Sequence, residues 1–559
     1  MGHLVEPTPE QHIELALSVA KIDHDINTHR RPDIPKNFRH ASRLRNFDEY
    51  WLPAMRTQDD SLVERQVYDL VPRRRGMTVL PSKWVFDEKT DPTTHIKTPR
   101  ARWVVCGNYD DGSWNTQDLY AAVVNSVTVK VFLVLVAVRD LECHQFDFKT
   151  AFLNATIPEG EEYYVQPPEG LEKPHGMVCK LKRALYGLRQ SPIYWLMTVK
   201  PVMEEMGFEA LDSDACLFKH QALDILVVLY VDDLLVTAPT TTLIDRTRDG
   251  LKAKFELKEM GEVKRFLGFD ILRDRGNRKI FISQETYIRA LLAKRGMEDC
   301  APAATPWPTK MTLPATGTWA PVAERQKTYT KDTGAINWLS CGTRPDIAYT
   351  VSRLAEANAG PSQEHLDLLH HLYRYIKGTA TYGIELGGCD VDVTDMMMQT
   401  FADASLADRL PTRHSTAGHA VFVAGGPVYW KTKKQTFVAL STTEAEYTNL
   451  TPAGLSAKWV GKILEDCGAP QPTPLVLFTD SLNAYQMVMN PVNKARTRTI
   501  DIRYKWVAEQ AQRGLLRIKH VDGVAMAVDG LTKPLQREKH DSFIRLLGMA
   551  SKKVPWAKD

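Results

Sequence analysis

Apolar positions along the chain fall into short runs that alternate with helical patterns, and the balance between the two changes along the sequence. Between residues 80 and 240, runs rich in Val, Ile and Leu are separated by stretches with helical spacing, which predicts a sheet domain of the α/β or α+β type. A mostly helical section follows at 335–380, and strand-like and helical patterns alternate again from about 397 to 535. The pattern therefore predicts an α+β multidomain protein, and 559 residues fit three or four domains.

Changes in composition suggest where these domains begin and end. Residues 1–45 are polar and mixed in charge, which is typical of a loosely ordered linker. Aromatic residues begin at "FDEYWLPAM" and indicate packed structure, whereas 300–335 is rich in Pro, Thr and Ala and is typical of an extended connector. We therefore expect divisions at 1–45, 46–300, 301–395 and 396–540, followed by a C-terminal tail at 541–559.

Composition limits the class of protein. The chain is 43% hydrophobic and 25% charged with a net charge of +3, so any affinity for nucleic acid has to come from local patches. The apolar run Val131–Val138 is too short to span a bilayer, and the N-terminus lacks the basic-then-apolar order of a signal peptide. The eight cysteines are scattered singly, which is typical of a reducing compartment and argues against structural zinc. We expect a protein that is not secreted and has no membrane partner.

Two neighbouring carboxylates interrupt one of the most apolar runs, "DILVVLYVDDLLVTA". Unpaired charges are expensive there, so a turn or a cation should accompany Asp232 and Asp233. This stretch alone leaves two alternatives open, since the pair could form a hairpin turn or present its carboxylates to a divalent metal. Asp147, at the end of a probable strand in "CHQFDFKTAFLNA", is either the N-cap of the next helix or a further ligand. Together the three could hold two Mg²⁺ ions for phosphoryl transfer.

A second set of acidic residues occurs in the last strand-and-helix region. Asp403 lies in the strand-like run "QTFADASLADR", and Glu446 lies in the helical stretch "STTEAEY". Glu444 in the same stretch fits a helix capping box, a purely structural role. Asp480 ends the apolar strand "PLVLFTD", and Asp529 lies on a further helical segment. Four carboxylates in strand–helix–strand–helix order predict a second two-metal site, suited to phosphodiester cleavage.

The order of several motifs makes the chain resemble the reverse transcriptases of copia-type long-terminal-repeat retrotransposons. These motifs are "KWVF", "QFDFKTAFLNA", "YVQPPEG", "LKRALYGLRQSPIYW", "LYVDDLLV", "FLGFDI", "TRPDIAY" and "YIKGT". "KTKKQ", "STTEAEY" and "LTKPL" extend the resemblance to the ribonuclease H domain that follows in the same elements. The resemblance covers roughly residues 45–540. It implies a right-hand polymerase with fingers and palm in 46–300, a connector and helical thumb in 301–395, and an RNase H-like α/β domain in 396–540.

The resemblance also implies the chemistry of both sites. The family's polymerase carboxylates match Asp147, Asp232 and Asp233. Its nuclease carboxylates match Asp403, Glu446, Asp480 and Asp529. Each site would take two Mg²⁺ ions, with Mn²⁺ as a possible substitute. The substrates would be deoxynucleoside triphosphates, an RNA template, a DNA primer and the RNA–DNA hybrid. Further partners would be the element's integrase or a second copy of the chain, in cytoplasmic virus-like particles or in the nucleus.

Other residues are candidates for contacting the substrate. Phe152 matches the bulky residue under the incoming sugar in related polymerases, and ordinary core packing is the alternative. Gly187 matches a point where the backbone passes close to template and nucleotide, and a loop glycine before a helix is the alternative. Candidates for phosphate contacts are Lys83, Arg100 and Arg102 in the fingers region, and Arg496, Arg498, Arg503 and Lys505 in the nuclease region. For the first three, a solvated surface charge is the alternative.

Departures from the family pattern leave a second function open. Leu406 and Ala407 replace a tryptophan and a glycine near Asp403, and Asn125 replaces an arginine before a long helix. A catalytically decayed or domesticated copy that only binds nucleic acid is therefore the alternative to the enzyme. The triplet Asp-Thr-Gly in "KDTGAIN" also occurs in aspartic proteases, but the apolar strand that should precede it is missing, which argues against a protease.

Overall fold

The computed structural model describes residues 34–90, 97–110, 123–314, 323–388, 390, 396–409, 412–490 and 505–557. These residues form two compact units. Unit 1 contains the described residues up to Val124 together with Glu142–Glu262, and unit 2 contains Asn125–Leu141 together with the described residues from Val263 onward. The division therefore falls after residue 262 and not near residue 300, where the composition had suggested it.

Strands and α-helices are numbered in chain order. The strands are β1 (Tyr68–Pro72), β2 (Val79–Leu80), β3 (Ser82–Thr90), β4 (Lys97–Val105), β5 (Glu142–Phe148), β6 (Tyr164–Val165), β7 (Met177–Leu181), β8 (Phe208–Leu211), β9 (Asp214–His220), β10 (Leu226–Tyr230), β11 (Asp233–Ala238), β12 (Leu257–Glu262), β13 (Arg265–Phe266), β14 (Phe269–Asp274), β15 (Lys279–Ser283), β16 (Tyr382–Gly387), β17 (Gln399–Arg409), β18 (His414–Val423), β19 (Gly426–Lys434), β20 (Leu475–Thr479), β21 (Leu516–His520) and β22 (Met549–Ser551). The α-helices are α1 (Phe38–Ala41), α2 (Leu52–Glu64), α3 (Ser126–Val138), α4 (Ala151–Asn154), α5 (Ser191–Glu205), α6 (Thr241–Lys252), α7 (Glu285–Arg295), α8 (Ala323–Gly342), α9 (Ala348–Ala355), α10 (Gln363–Gly378), α11 (Thr442–Asp466), α12 (Leu482–Met489), α13 (Trp506–Gln512) and α14 (Arg537–Leu546).

Unit 1 is built on a six-stranded antiparallel sheet with the order β12-β5-β11-β10-β9-β8. A four-stranded sheet (β1-β7-β6-β2) and the two-stranded hairpin β3–β4 complete its strands. Side chains alternate between the two faces of a strand, and one face of the large sheet is apolar, with Phe146, Phe148, Leu234 and Val236 all buried. These residues share one hydrophobic core with the fully buried Trp195 of α5.

Helix α3 is apolar around its whole circumference, and this explains its place in unit 2. Every residue from Val127 to Val138 is buried, and the helix packs against β15, β16, β19 and α11. Its charged residue, Lys130, donates a hydrogen bond of 3.1 Å to the carbonyl of Cys341 and lies 3.9 Å from the centre of the Trp430 ring. Asn125, the departure from the family's arginine, is the N-cap of this helix, because its side chain accepts a hydrogen bond from the amide of Val127.

Unit 2 contains two five-stranded sheets. The first has the order β13-β14-β15-β16-β22 and is antiparallel. The second has the order β19-β18-β17-β20-β21, in which the first three strands are antiparallel and β20 and β21 join in parallel. Helix α11 packs on β17 and β18 of this sheet. Phe401 of β17 pairs in parallel with Phe478 of β20, and this register brings Asp403, within β17, level with Asp480, which follows β20 directly.

The C-terminal residues, expected as a tail at 541–559, are part of the fold of unit 2. The first six residues of this range, 541–546, all lie in helix α14, and β22 pairs with β16. Val554 donates its amide hydrogen to the buried Glu285 over 2.7 Å, and Trp556 donates its indole hydrogen to the buried Asp270 over 3.0 Å. The sequence pattern missed this because a three-residue strand carries too little periodicity to be recognised.

The helical section and the connector before it also have defined contacts. Asp332 of the Asp-Thr-Gly triplet lies inside helix α8 and is paired with Arg295, so the triplet has neither the strand nor the turn of a protease site. In α10, His371 and Arg374 bind backbone carbonyls of the connector, at Thr305 and Ala301. Within the described part of the chain, the helices that are long enough to cross a bilayer are too polar to do so.

Candidate functional sites

The hairpin β10–β11 places two of the predicted carboxylates at its turn. Tyr230 pairs with Asp233, so only Val231 and Asp232 connect the strands. The positive φ that such a tight turn requires is at Val231 (54°), not at an aspartate. A β-branched residue is strained in that region, and the indole of Trp195 donates a hydrogen bond of 2.5 Å to the Val231 carbonyl, which helps to hold the turn.

Asp147 lies beside this turn on the neighbouring strand. It is directly opposite Asp233 in the pairing of β5 with β11, so the two side chains are on the same face of the sheet. The amide of Phe148 donates a hydrogen bond of 2.7 Å to the carbonyl of Asp232, which joins the strand end to the turn. The structure therefore brings Asp147, Asp232 and Asp233 together, and the hairpin alternative and the metal alternative are compatible with each other.

The electrostatics of this acidic cluster favour a cation. Burial, followed by the neighbouring Asp232, raises the pKa of Asp233 to about 6, although a hydrogen bond of 3.1 Å from Gln145 partly offsets the effect. Burial also raises the pKa of Asp232, and Asp147 adds to this while Arg102 opposes it. Buried carboxylates that resist ionisation are stabilised by a bound cation, and oxygen ligands of this type suit Mg²⁺.

The three cations predicted in the fingers region share one face of the hairpin β3–β4. Lys83 lies opposite Val104, and Arg102 and Arg100 follow at every second position of the paired strand. The other face is apolar and buried, with Trp84 and Trp103 opposite each other. Lys83 and Arg100 are exposed, and Arg102 is close enough to the acidic cluster to lower the pKa of Asp232.

Phe152 and Gly187 both lie near a residue that sequence reasoning missed, Tyr186. The ring of Phe152 is in the hydrophobic core, 8% exposed, and contacts the ring of Tyr186 edge-on with centroids 5.0 Å apart. Burial raises the pKa of Tyr186 to about 12, and Asp232 contributes to the rise. Gly187 has φ of 89°, and a Cβ there would lie 2.0 Å from the carbonyl oxygen of Val105, so close backbone packing requires a glycine. The predicted substrate contacts of Phe152 and Gly187 remain predictions.

The second acidic cluster is in unit 2. Asp403, Glu446 and Asp480 each offer a carboxylate oxygen, and these oxygens lie within 4.8 Å of one another. Asp403 lies on the central strand β17, Glu446 in the first turns of α11, and Asp480 directly after β20. Ser441 caps α11 by accepting the amide hydrogen of Glu444, whereas the Glu444 carboxylate accepts the amide hydrogen of Leu440 and not that of Ser441, so half of the predicted capping box is present.

Burial shapes the protonation of this cluster. Asp403 is 2% exposed and Glu446 is 7% exposed. Burial raises the pKa of Glu446, and the nearby Asp403 and Asp480 raise it further. Burial likewise raises the pKa values of Asp403 and Asp480. The Oε2 atom of Glu446 is buried with no hydrogen-bond donor among the described residues, and a buried oxygen of this kind fits a metal ligand.

The fourth predicted carboxylate, Asp529, is close to the cluster but is already paired. It begins a short 3₁₀ turn, and its carboxylate binds the ammonium group of Lys533 over 2.5 Å. The hydroxyl of Thr532, in the same turn, donates a hydrogen bond to Asp403. Lys533 and Thr532 belong to the "LTKPL" motif, but the contact of Thr532 with Asp403, which is 129 residues earlier in the chain, could not be derived from it.

Two more residues position the cluster. The side-chain amide of Asn449, one turn after Glu446, donates hydrogen bonds of 2.8 Å to the carbonyls of both Asp403 and Gly418. It thereby ties α11 to β17 and β18. Ala407 lies at a bulge in β17 and has φ of 50°, a left-handed conformation that favours glycine. Leu406 packs against a small apolar cluster that contains Ala404.

Of the predicted nuclease-region cations, only Lys505 lies within the described residues. It is exposed and immediately precedes helix α13. Arg496, Arg498 and Arg503 lie outside the described residues. A phosphate track along these residues therefore remains a prediction.

Comparison with known proteins agrees with the motifs. Residues 65–309 match the family model described as reverse transcriptase (RNA-dependent DNA polymerase). The chain is 32% identical over 510 residues to the retrovirus-related Pol polyprotein from transposon TNT 1-94 of Nicotiana tabacum, an alignment that covers 89% of this chain and 38% of that protein. It is 31% identical over 514 residues to the corresponding polyprotein from transposon RE2 of Arabidopsis thaliana, covering 91% of this chain and 34% of the relative. The chain thus spans little more than a third of the length of these relatives.

Proposed function

Since this chain belongs to the reverse-transcriptase family of copia-type retrotransposon Pol polyproteins, we propose that it is an RNA-directed DNA polymerase joined to a ribonuclease H. The observation that carries the polymerase proposal is the pairing of Asp147 with Asp233 beside a turn that contains Asp232. In this proposal the six-stranded sheet of unit 1 is the palm, and the hairpin β3–β4 belongs to the fingers. The thumb and connection would follow in unit 2.

The palm carboxylates would hold two Mg²⁺ ions, with Mn²⁺ as a substitute. When bound, these ions would supply the positive charge that favours attack by a primer 3′-hydroxyl on the α-phosphate of a deoxynucleoside triphosphate. The chain's own residues position this chemistry. Gln145 orients Asp233 through its hydrogen bond, and the strained turn at Val231 fixes the direction of Asp232. Arg102, on the face of the hairpin that it shares with Lys83 and Arg100, would neutralise phosphate charge.

The second proposed activity is cleavage of the RNA strand of an RNA–DNA hybrid. It is supported by the cluster of Asp403, Glu446 and Asp480, by the nearby Asp529, and by the sheet order β19-β18-β17-β20-β21. Two divalent ions held by these carboxylates would favour attack of water on a phosphodiester. The 2′-hydroxyl would distinguish the RNA strand from DNA. Leu440, just before the helix that carries Glu446, and Val524 are exposed apolar side chains that would be available to contact a nucleic-acid groove.

The second candidate function is a decayed copy that binds nucleic acid without turnover. The observation that favours it is Leu406, which stands in place of the family's tryptophan in the strand that carries Asp403. The presence of all seven predicted carboxylates favours the enzyme. The template, the primer, the hybrid, an integrase segment and a second copy of the chain are proposed partners of either form.

Primer extension on a poly(rA)–oligo(dT) template with Mg²⁺ and dTTP tests the polymerase proposal. We expect incorporation by the parent protein and by Asp212→Asn, a control at an exposed position in the turn between β8 and β9. Asp232→Asn should abolish incorporation. A folded parent protein that binds the hybrid in a salt-dependent manner but incorporates nothing would instead support the decayed copy.

A further inference from the structure

Lys533 occupies an unusual position for a cation at a proposed metal site. Its ammonium group binds Oδ1 of Asp529 over 2.5 Å, and its side chain is 44% exposed. Asp529 is the one member of the predicted four that does not join the close group of Asp403, Glu446 and Asp480. Asp529 is instead paired with a lysine four positions later in the chain.

The loop that carries Lys533 is held by packing and hydrogen bonds on several sides. The hydroxyl of Thr432 donates a hydrogen bond of 2.8 Å to the carbonyl of Leu531. A Cβ on Gly418 would lie 2.7 Å from the Thr532 side chain, and a Cβ on Gly530 would lie 2.4 Å from the Phe543 ring, so both glycines allow close packing of the loop. The backbone of the loop therefore has little room to move, and the adjustable part is the long Lys533 side chain.

The segment that carries Lys533 contacts acidic groups directly. The ammonium group of Lys533 binds Oδ1 of Asp529, and the hydroxyl of the preceding residue, Thr532, donates a hydrogen bond to Asp403. The same short segment therefore contacts two of the four predicted carboxylates. A cluster of carboxylates in a partly desolvated site needs positive charge, and Lys533 supplies one unit of it from within the chain.

We propose that Lys533 is a built-in counter-cation of the nuclease carboxylates, which competes with a divalent ion for Asp529. This inference rests on the proposed metal-binding role of that cluster. Mg²⁺ coordinates carboxylate oxygens at about 2.1 Å, so an ion that uses Oδ1 of Asp529 has to displace the ammonium group. Displacement leaves a mobile cation beside the cluster, where the phosphate of a bound substrate would hold it. Lys533 thereby couples metal occupancy to the presence of substrate.

The competition makes a measurable difference to metal affinity. Removing the positive charge while keeping the length of the side chain, in Lys533→Met, should tighten Mn²⁺ binding about tenfold or more. The same variant should lower the melting temperature of the protein in chelator, because the carboxylates lose their internal cation, and Mn²⁺ should restore it. Lys533→Arg keeps the charge and should bind Mn²⁺ close to the parent affinity.

The experiment is a titration of the full chain with Mn²⁺, following free Mn²⁺ by electron paramagnetic resonance. Binding that is lost in Asp480→Asn is assigned to the nuclease cluster, and Lys539→Met, at an exposed position on α14, is the matched control. Tighter Asp480-dependent binding in Lys533→Met alone supports the proposal. Unchanged or weaker binding overturns it, as does the absence of any Asp480-dependent binding.

Hybrid cleavage by the parent protein, measured in parallel, separates this proposal from the proposed function. Cleavage by the parent with no change of Mn²⁺ affinity in Lys533→Met would overturn the role of Lys533 and leave the nuclease intact. Tighter Mn²⁺ binding by Lys533→Met, in a protein whose parent form cleaves no hybrid, would support the counter-cation role and contradict the proposed nuclease activity.

Discussion

Asp233 should destabilise the metal-free protein at neutral pH, and Asp233→Asn should relieve this. Burial raises the pKa of Asp233 from 3.8 to about 6. When folding raises the pKa of a carboxyl group, the group contributes fully to the free energy of unfolding at pH values below its unfolded pKa, which is near 4. This contribution is lost as the pH rises through the folded pKa of about 6. Because one pKa unit corresponds to about 1.4 kcal/mol, the loss amounts to roughly 3 kcal/mol at pH 7 and above. The asparagine oxygen can still accept the hydrogen bond from Gln145.

Thermal unfolding of the chain in chelator, at about pH 4.5 and about pH 8, measures this difference. We expect Asp233→Asn to melt several degrees above the parent at the higher pH, since each kcal/mol shifts a domain of 150–250 residues by about 2–4 °C. The two should melt at similar temperatures at the lower pH. Excess Mg²⁺ should narrow the difference between the two proteins, because the nuclease cluster binds the ion in both and Asp233 binds it only in the parent. Asp212→Asn is the surface control. Equal melting temperatures at both pH values would refute the reasoning that burial strains this carboxylate.

Three further predictions concern the backbone and the C-terminus, and each is checked by thermal or denaturant unfolding. Ala407→Gly should stabilise unit 2 by up to about 1 kcal/mol, because a left-handed alanine costs roughly 1–2 kcal/mol and the flexibility of glycine returns part of it; Ala404→Gly in the same strand should destabilise it. Gly187→Ala should cost about 3 kcal/mol or more, because its Cβ would lie 2.0 Å from a backbone carbonyl oxygen. Gly160→Ala, at φ of 94° with nothing within 4 Å, should cost only about 1 kcal/mol, and equal losses at the two glycines would contradict the close-packing argument. Trp556→Phe should cost about 1.5 kcal/mol, because it removes one hydrogen bond to the buried Asp270, and no loss would contradict a structural role for the C-terminal segment.

Asp232, Asp233 and Asp480 could be predicted from the sequence because each one interrupts an apolar run or directly follows one, whereas Glu446, in the polar stretch "STTEAEY", was predicted from its motif. Burial made Asp232, Asp233 and Asp480 conspicuous as charges that need partners. Their surroundings were harder to predict. Nothing in the local pattern shows that Val231, and not an aspartate, takes the left-handed conformation of the turn. Nor does it show that Lys533 binds Asp529, although the two residues are only four positions apart.

Elements with a long hydrophobic pattern could be predicted from the sequence. Contacts between elements that are far apart in the chain could not. Helix α3 was recognisable as an apolar run, but its contacts with β15, β16 and β19 join residues that are far apart in the chain. These contacts place it in unit 2, away from the sequence neighbours on either side of it. The strand at Met549–Ser551 is stabilised by its pairing with β16 and has no pattern of its own. Tertiary contacts of this kind decide domain boundaries, which local composition cannot do.

The most direct test of two separate catalytic sites assays Asp232→Asn and Asp480→Asn, from matched preparations, for both activities. One assay measures incorporation of dTTP on poly(rA)–oligo(dT), and the other measures cleavage of the RNA strand of a preformed hybrid. We predict that Asp232→Asn loses incorporation and retains cleavage, whereas Asp480→Asn loses cleavage and retains incorporation. Two separate sites would be contradicted if either substitution removed both activities from a protein that remains folded.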